Sequence, residues 1–298
     1  MLSEVRRWIG LAPAGQPANP HKWLIEPAGE GLVARAEEFW RHRQMLWFFS
    51  TRAVKDRYEG MTLGIFWLFF RPLGPILIST FIFGGLLKVP SDGLPYFLFF
   101  LAGVSSWYVF ERTVLTVTRS LSQNRGLLKK VYFPRLIAPL SAVSPSVVDF
   151  GIYTGLLLAA FVYYAMKDGV WYLRTGAWPL LALAVAAVIV VFAAGFGMWT
   201  CVFEARHRDV RYGLRYFLRF WFYLTPVIYP LSQVPPEHRW LVFLNPMAPL
   251  VETFKWSLFG IGTFPAAPLA AACAIVLLTL ISGIWFFTRS EEASVDKL

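Results

Sequence analysis

Six long apolar runs dominate the chain, lying roughly at Leu63–Leu87, Pro95–Val117, Val143–Met166, Trp178–Phe203, Tyr216–Tyr229 and Pro265–Thr288. All but the short fifth approach the length that about 30 Å of hydrocarbon asks of a helix. A water-soluble fold has no place for so many. Only 15% of the 298 residues are charged, against about 25% in a soluble domain, and a single core of this size would still need polar cover. Lipid-facing surface removes that need. The expected fold is therefore an all-α membrane protein with six transmembrane helices. Between spans five and six, Pro230 to Gly262 is too apolar for a free loop and is broken by Pro235, Pro236, Pro246 and Pro249. It reads as re-entrant helices, because irregular backbone at membrane depth survives only where protein or a cavity covers it.

Ahead of the spans, Met1 to Glu30 has no long apolar stretch, so a cleaved signal peptide is not expected. Residues 1–31, rich in Pro, Gly and Ala, read as a cytoplasmic extension. Residues 32–62 follow as an amphipathic interface helix with its connection, and 63–298 as the six-span domain. In that helix Val33, Ala36, Trp40 and Trp47 recur at helical intervals, while Arg35, Glu38, Arg41, Arg43, Arg52 and Lys55 supply the polar side. Such a helix belongs in the plane of the membrane interface; the alternative is a soluble helix packed on a partner.

The net charge of +10 is carried largely by short loops. The second connection holds Arg119, Arg125, Lys129, Lys130 and Arg135 without an acid, and the fourth holds Arg206, Arg208, Arg211 and Arg215 against Glu204 and Asp209. These loops mark the cytoplasmic side, which makes the protein multi-pass with both termini cytoplasmic. No soluble basic stripe accompanies them, so nucleic acid is not an expected partner.

Site chemistry is sparse. No GxxxxGK[ST] loop occurs, and GFG at 195–197 and GIG at 260–262 suit helix packing and a turn better than a nucleotide. The two cysteines, Cys201 and Cys273, and the four scattered histidines offer neither metal spacing nor a nucleophile–base pair. No catalytic residue, metal or cofactor is expected on this chain. Arg71, Asp149 and Arg219 stand out as ionisable groups inside apolar runs, near their cytoplasmic ends. For Arg71 function and simple snorkelling are both open, while for Asp149 and Arg219 a structural role, by snorkelling or pairing, is the expected one. The aromatics of spans one, two and five exceed what an interfacial belt needs, six falling within Tyr216–Tyr223. Such rings can line a pore, stacking on sugars while their hydroxyls hydrogen-bond.

Several motifs in order resemble the membrane subunit of type-2 ABC exporters for polysaccharides, the O-antigen and teichoic-acid permease group. Arg57-Tyr58 with Leu63-Gly-Ile-Phe-Trp67 and Pro72-Leu73 is similar to its RY…LGxxW…PL signature, and Lys130-Val-Tyr-Phe-Pro-Arg135 to its KVYFPR loop. Arg208-Asp-Val-Arg-Tyr212 resembles FRDxRY with His207 in place of the leading Phe. Leu224-Thr-Pro-Val-Ile-Tyr229, Asn245-Pro-Met-Ala-Pro249 with Val251-Glu252, and the tail Arg289-Ser-Glu291 with Asp296 complete the series.

The resemblance implies a homodimeric channel in the bacterial inner membrane, surrounded by lipid. It exports an undecaprenyl-linked polysaccharide, O antigen above all, driven by two copies of a cytoplasmic ATPase that carry the ATP and Mg. By the same resemblance Asn124, Lys129, Lys130, Tyr132 and Arg135 belong to the ATPase-coupling loop. Phe66, Trp67, Phe70, Tyr108, Phe220 and Tyr223 are the channel aromatics, and Arg52, Arg57 and Arg71 the contacts to a phosphate head group. Asn245, Pro246, Glu252 and Lys255 form an outer gate, Glu252 and Lys255 either paired or simply solvated. A teichoic-acid, capsule, lipid or drug exporter is the nearest alternative. A membrane glycan acyltransferase would need a base inside the bundle, and a channel or scaffold would work without an ATPase.

Overall fold

The computed structural model describes residue 40 and residues 42–59, 64–128 and 134–295; the side chains of 64–68, 71, 127, 128 and 291–295 lie outside that description. His42–Leu298 forms one compact unit, and all that follows concerns it. Every regular element among the described residues is helical.

The chain runs through α1 (Arg43–Tyr58), α2 (Gly64–Ser79) and a π-helical stretch, Thr80–Leu86, that continues α2. Pro72 and Pro75 lie inside α2 and remove two backbone donors from its ladder. At the end of the π stretch the Leu87 N–H reaches the carbonyl of Ile82 at 2.9 Å, a wide turn. There follow α3 (Tyr96–Thr118), α4 (Ser120–Leu128), α5 (Ile137–Ser141) and α6 (Ser144–Asp168), then α7 (Trp178–Arg206) and α8 (Val210–Leu224). Short turns lead to α9 (Arg239–Phe243), α10 (Met247–Phe259) and α11 (Ala266–Val295).

Three helical segments are long and apolar enough to cross a membrane: Ile137–Asp168, Trp178–Arg206 and Ala266–Ser290. Their outward faces are largely aliphatic, with Leu158, Val162, Leu183, Leu278 and Ile281 each about half exposed or more. No soluble surface is built this way. The protein is a multi-pass membrane protein.

The core is α3, which is covered on nearly all sides; Leu98, Leu101, Phe110 and Val114 are fully buried. It lies against α6, α7 and α10. On its far side α7 packs along α11, and glycine sets the distance there. A Cβ built on Gly283 would meet the Gly195 backbone oxygen at 2.4 Å, and one on Gly195 would meet the Leu280 backbone at 2.7 Å. Two backbones can approach so closely only where neither carries a side chain. α10 is buried as deeply as α3, with Met247, Ala248, Leu250 and Val251 inaccessible. It stops at Gly260, whose φ of 72° is the left-handed conformation that glycine adopts at least cost. Beside that stop, the Arg174 guanidinium lies over both rings of an edge-to-face pair, Trp178 and Trp256, 4.2 and 4.3 Å from their centroids.

Candidate functional site

At the Thr118 end of α3, helices α1, α3, α4, α5, α6 and α8 leave a chamber of about 710 Å3 between them. Six arginines line it: Arg52 and Arg57 from α1, Arg112 and Arg119 at the end of α3, and Arg215 and Arg219 from α8. Only two acids, Asp56 and Glu111, share the wall. Arg52 pairs with Asp56 across one helical turn at 3.6 Å, a half-exposed contact worth at most about 1 kcal/mol. Arg57 turns to Asp149 on α6, its Nη2 donating to Oδ2 at 2.5 Å, and the Tyr58 hydroxyl donates to Oδ1 of the same carboxylate at 2.8 Å. Glu111 lies within electrostatic reach of Arg112 and Arg219.

Arg119 is the least satisfied of the six. Its Nε is buried without an acceptor. Burial, then the nearby positive charges of Arg215 and Arg211, pull this guanidinium below the usual arginine range. Arg52, Arg215 and Arg219 are exposed and Arg112 and Arg119 half-buried, so the wall gathers like charges beside only two acids, and their mutual repulsion favours an anion between them. Guanidinium groups converging from several helices suit the spread oxygens of a phosphate or diphosphate.

α8 joins this chamber to a second feature. Tyr212, Tyr216, Phe220 and Tyr223 recur at helical spacing, and each is more than half exposed. The opposite side of the helix is anchored by buried Leu214 and Leu218, so the exposed rings are a presented face of a packed helix. Arg215 and Arg219 belong to the same helix. A chain that leaves the arginines meets aromatic faces within the next turns.

The end of α8 is fixed through Asn245. Trp221 lies among Trp107, Phe110, Phe192 and Phe196, with ring centroids 5.2 to 6.3 Å away. Its Nε1 donates to Asn245 Oδ1 at 2.8 Å, and the Met247 N–H donates to the same oxygen at 2.9 Å. Asn245 Nδ2 donates to the Thr225 hydroxyl at 2.8 Å. One side chain thus ties α8 to the start of α10. Farther along α10, Lys255 is only 5% exposed. Its Nζ meets Glu252 at 2.6 Å and the Pro226 carbonyl at 2.9 Å, above the Phe99 ring at 4.2 Å. Of the two states open to Glu252 and Lys255, the structure has the paired one.

At the chamber end, Glu204 at the close of α7 is buried, with its side chain wholly inaccessible. It accepts a hydrogen bond from Ser122 of α4 at 3.2 Å and faces Arg211 of α8 at 3.6 Å. α4 and α8 therefore share one buried carboxylate.

The residues expected from the sequence are distributed unevenly over these features. Arg52 and Arg57 do line the chamber, but Arg57 is engaged by Asp149, a residue that had no partner in the sequence. Arg112, Arg119, Arg215 and Glu111 were not among the expected site residues. Glu111 and Arg112 passed unmarked inside the second apolar run, and Arg119 and Arg215 read only as orientation charges. Asn124 lines the chamber and donates to the Ser120 carbonyl of its own helix at 2.9 Å; Arg135 stands just ahead of α5.

Among the aromatics, Phe70 (62% exposed), Phe220 and Tyr223 face outward. Tyr108 instead stacks on Tyr153 of α6, centroids 5.3 Å apart. Pro246 directly precedes α10, beside Asn245. Lys129, Lys130 and Tyr132, and the side chains of Phe66, Trp67 and Arg71, lie outside the described residues.

Comparison with known proteins agrees with this arrangement. The chain is 29% identical over 269 residues to the O-antigen export system permease protein RfbA of Myxococcus xanthus, covering 88% of this chain and 98% of the relative. It is 26% identical to the O-antigen export system permease protein RfbA of Klebsiella pneumoniae, over 69% of this chain and 76% of the relative. The polysialic acid transport protein KpsM of Escherichia coli is 20% identical over 81% of this chain and 92% of its own length. Residues 44–259 match the ABC-2 type transporter family. That match spans α1 to α10, from the chamber to the Asn245 tie, and the chain belongs to the ABC-2 type transporter family as a transport subunit that works with an ATPase partner.

Proposed function

We propose that this chain is the transmembrane subunit of an exporter that moves a lipid-linked polysaccharide, O antigen, from the cytoplasm across the bacterial inner membrane. Two copies frame one channel, and two copies of a separate ATPase, holding ATP and Mg, drive it. The observation that carries the reading is the placement of unneutralised arginines and an exposed aromatic face on one helix, α8. A diphosphate-linked glycan needs both in that order, charge for its head group and ring faces for its sugars. The O-antigen permease RfbA relatives support this substrate; the lower identity to KpsM makes capsule export the second reading.

In this proposal the membrane is crossed six times, by α2 with its π stretch, α3, α5–α6, α7, α8 and α11. α9 and α10 form the re-entrant element. α8, with 15 residues, spans only about 22 Å, and α10 completes the thickness that α8 leaves short. The arginine chamber faces the cytoplasm, in keeping with the basic loops. α1 lies at the interface and, with α4, meets the ATPase. The Lys255–Glu252 pair and Asn245 close the outer side.

The test is a double substitution, Arg119→Gln with Arg215→Gln, read by farnesyl diphosphate binding to the purified protein in nanodiscs and by surface O antigen in cells. Binding should weaken about tenfold or more per arginine, with surface polysaccharide falling in step. Unchanged affinity together with normal surface polysaccharide would overturn the reading.

A further inference from the structure

Polar contacts tie α1 to α6 at two levels. Ser144 donates to the Ser50 carbonyl at 3.0 Å near its middle. At its C-terminal end, Arg57 and Tyr58 both bind the Asp149 carboxylate, at 2.5 and 2.8 Å. The helix also packs against α5 and α6, with Phe49 its buried residue. Arg57 is in a double position, since it pairs with Asp149 and also lines the chamber, a wall that Asp149 does not reach. The pair is 22% and 16% exposed, close enough to water and to the cavity for another anion to compete.

We infer that the Arg57–Asp149 pair is a latch opened by cargo: a diphosphate entering the chamber takes Arg57 from Asp149 and loosens α1 from α6. This rests on the proposed diphosphate site and adds its regulation. A diphosphate offers more oxygens and more charge than one carboxylate, and it also engages Arg119, Arg215 and Arg219, which Asp149 does not. The exchange thus favours the diphosphate by differential contacts, which any ligand-driven shift requires. Once Arg57 leaves, a largely buried Asp149 retains, among the described residues, the Tyr58 hydroxyl, and the end of α1 loses this ionic restraint. The helix proposed to meet the ATPase then reports whether cargo is loaded.

Hydrogen exchange of the α1 amides, residues 43–58, tests this on the full chain in nanodiscs, with farnesyl diphosphate and inorganic pyrophosphate as separate probes. The wild type should exchange about tenfold faster in α1 when farnesyl diphosphate is bound, with α7 unchanged as the internal control. Asp149→Asn should exchange fast without ligand and gain little on adding it. Tyr58→Phe, which leaves the ion pair, should lie between. Release by both probes assigns the trigger to the diphosphate itself, and release by farnesyl diphosphate alone assigns it to the lipid head group; either supports the latch. Saturable binding with α1 exchange unchanged overturns the latch and leaves the chamber standing, as does Asp149→Asn behaving as wild type. No binding of either probe overturns the chamber and the latch together.

Discussion

Two faces of this molecule expose large apolar side chains, and they are chemically unlike. Along α6 and α11 the exposed residues are mostly aliphatic, among them Val162, Leu278 and Ile281. Along α8 they are Tyr212, Tyr216, Phe217, Phe220 and Tyr223, with Arg215 and Arg219 interleaved. Aliphatic side chains without polar atoms match acyl chains. Rings with hydroxyls, set among guanidinium groups, match a wet lumen that a glycan can occupy. Equal exposure therefore need not imply an equal environment, and under the proposed function the chemistry of the exposed atoms is what separates lipid from channel.

The sharpest way to break this comparison is to place one charge on each face. Ile281→Lys should lower the stability of the inserted protein by about 3 kcal/mol, the cost of a lysine at mid-membrane. Phe220→Lys should cost under about 1 kcal/mol if the proposed channel brings water to that position. Equal losses in thermal unfolding would abolish the distinction. A milder comparison removes bulk. Phe220→Ala and Tyr223→Ala should each cut polysaccharide export about three- to tenfold, a ring's worth of stacking, with unfolding unchanged, whereas Leu278→Ala should leave export intact. An export defect shared by Leu278→Ala would place α11 at the lumen as well.

The smallest effect concerns pH at the chamber rim. Burial, then the hydrogen bond to Asp149 and its charge, push the Tyr58 phenol up to about 12 from an ordinary 10.0. The folded state thus favours the protonated phenol. Its contribution to holding α1 is complete below pH 10 and lost as pH rises through about 12. Wild-type α1 should loosen across that window, while Tyr58→Phe, lacking the hydroxyl, should show no such step in an alkaline exchange series.

Much of this architecture was legible in the chain itself. Period and length gave the helical class, and the spacing of Glu252 and Lys255, three apart on one helix, made their pairing readable. The chamber was harder. Its arginines come from three separated segments, and each one looks locally like an orientation charge or a snorkelling side chain. Only tertiary packing brings Arg112, Arg119 and Arg215 to one wall. Arg57 and Asp149 stand 92 residues apart, and no periodicity links them. The stacking of Tyr108 on Tyr153 of α6 was illegible for a related reason: an aromatic inside a span reads the same whether it faces a lumen or a neighbouring ring.

The glycine contact between α7 and α11 has a bearing on how the protein is made. α7 leaves the ribosome well before α11, with α8, α9 and α10 translated in between. The contact at Gly195 therefore cannot form until the strip around Gly283 has been made, and a side chain larger than hydrogen at either glycine would push the two backbones apart.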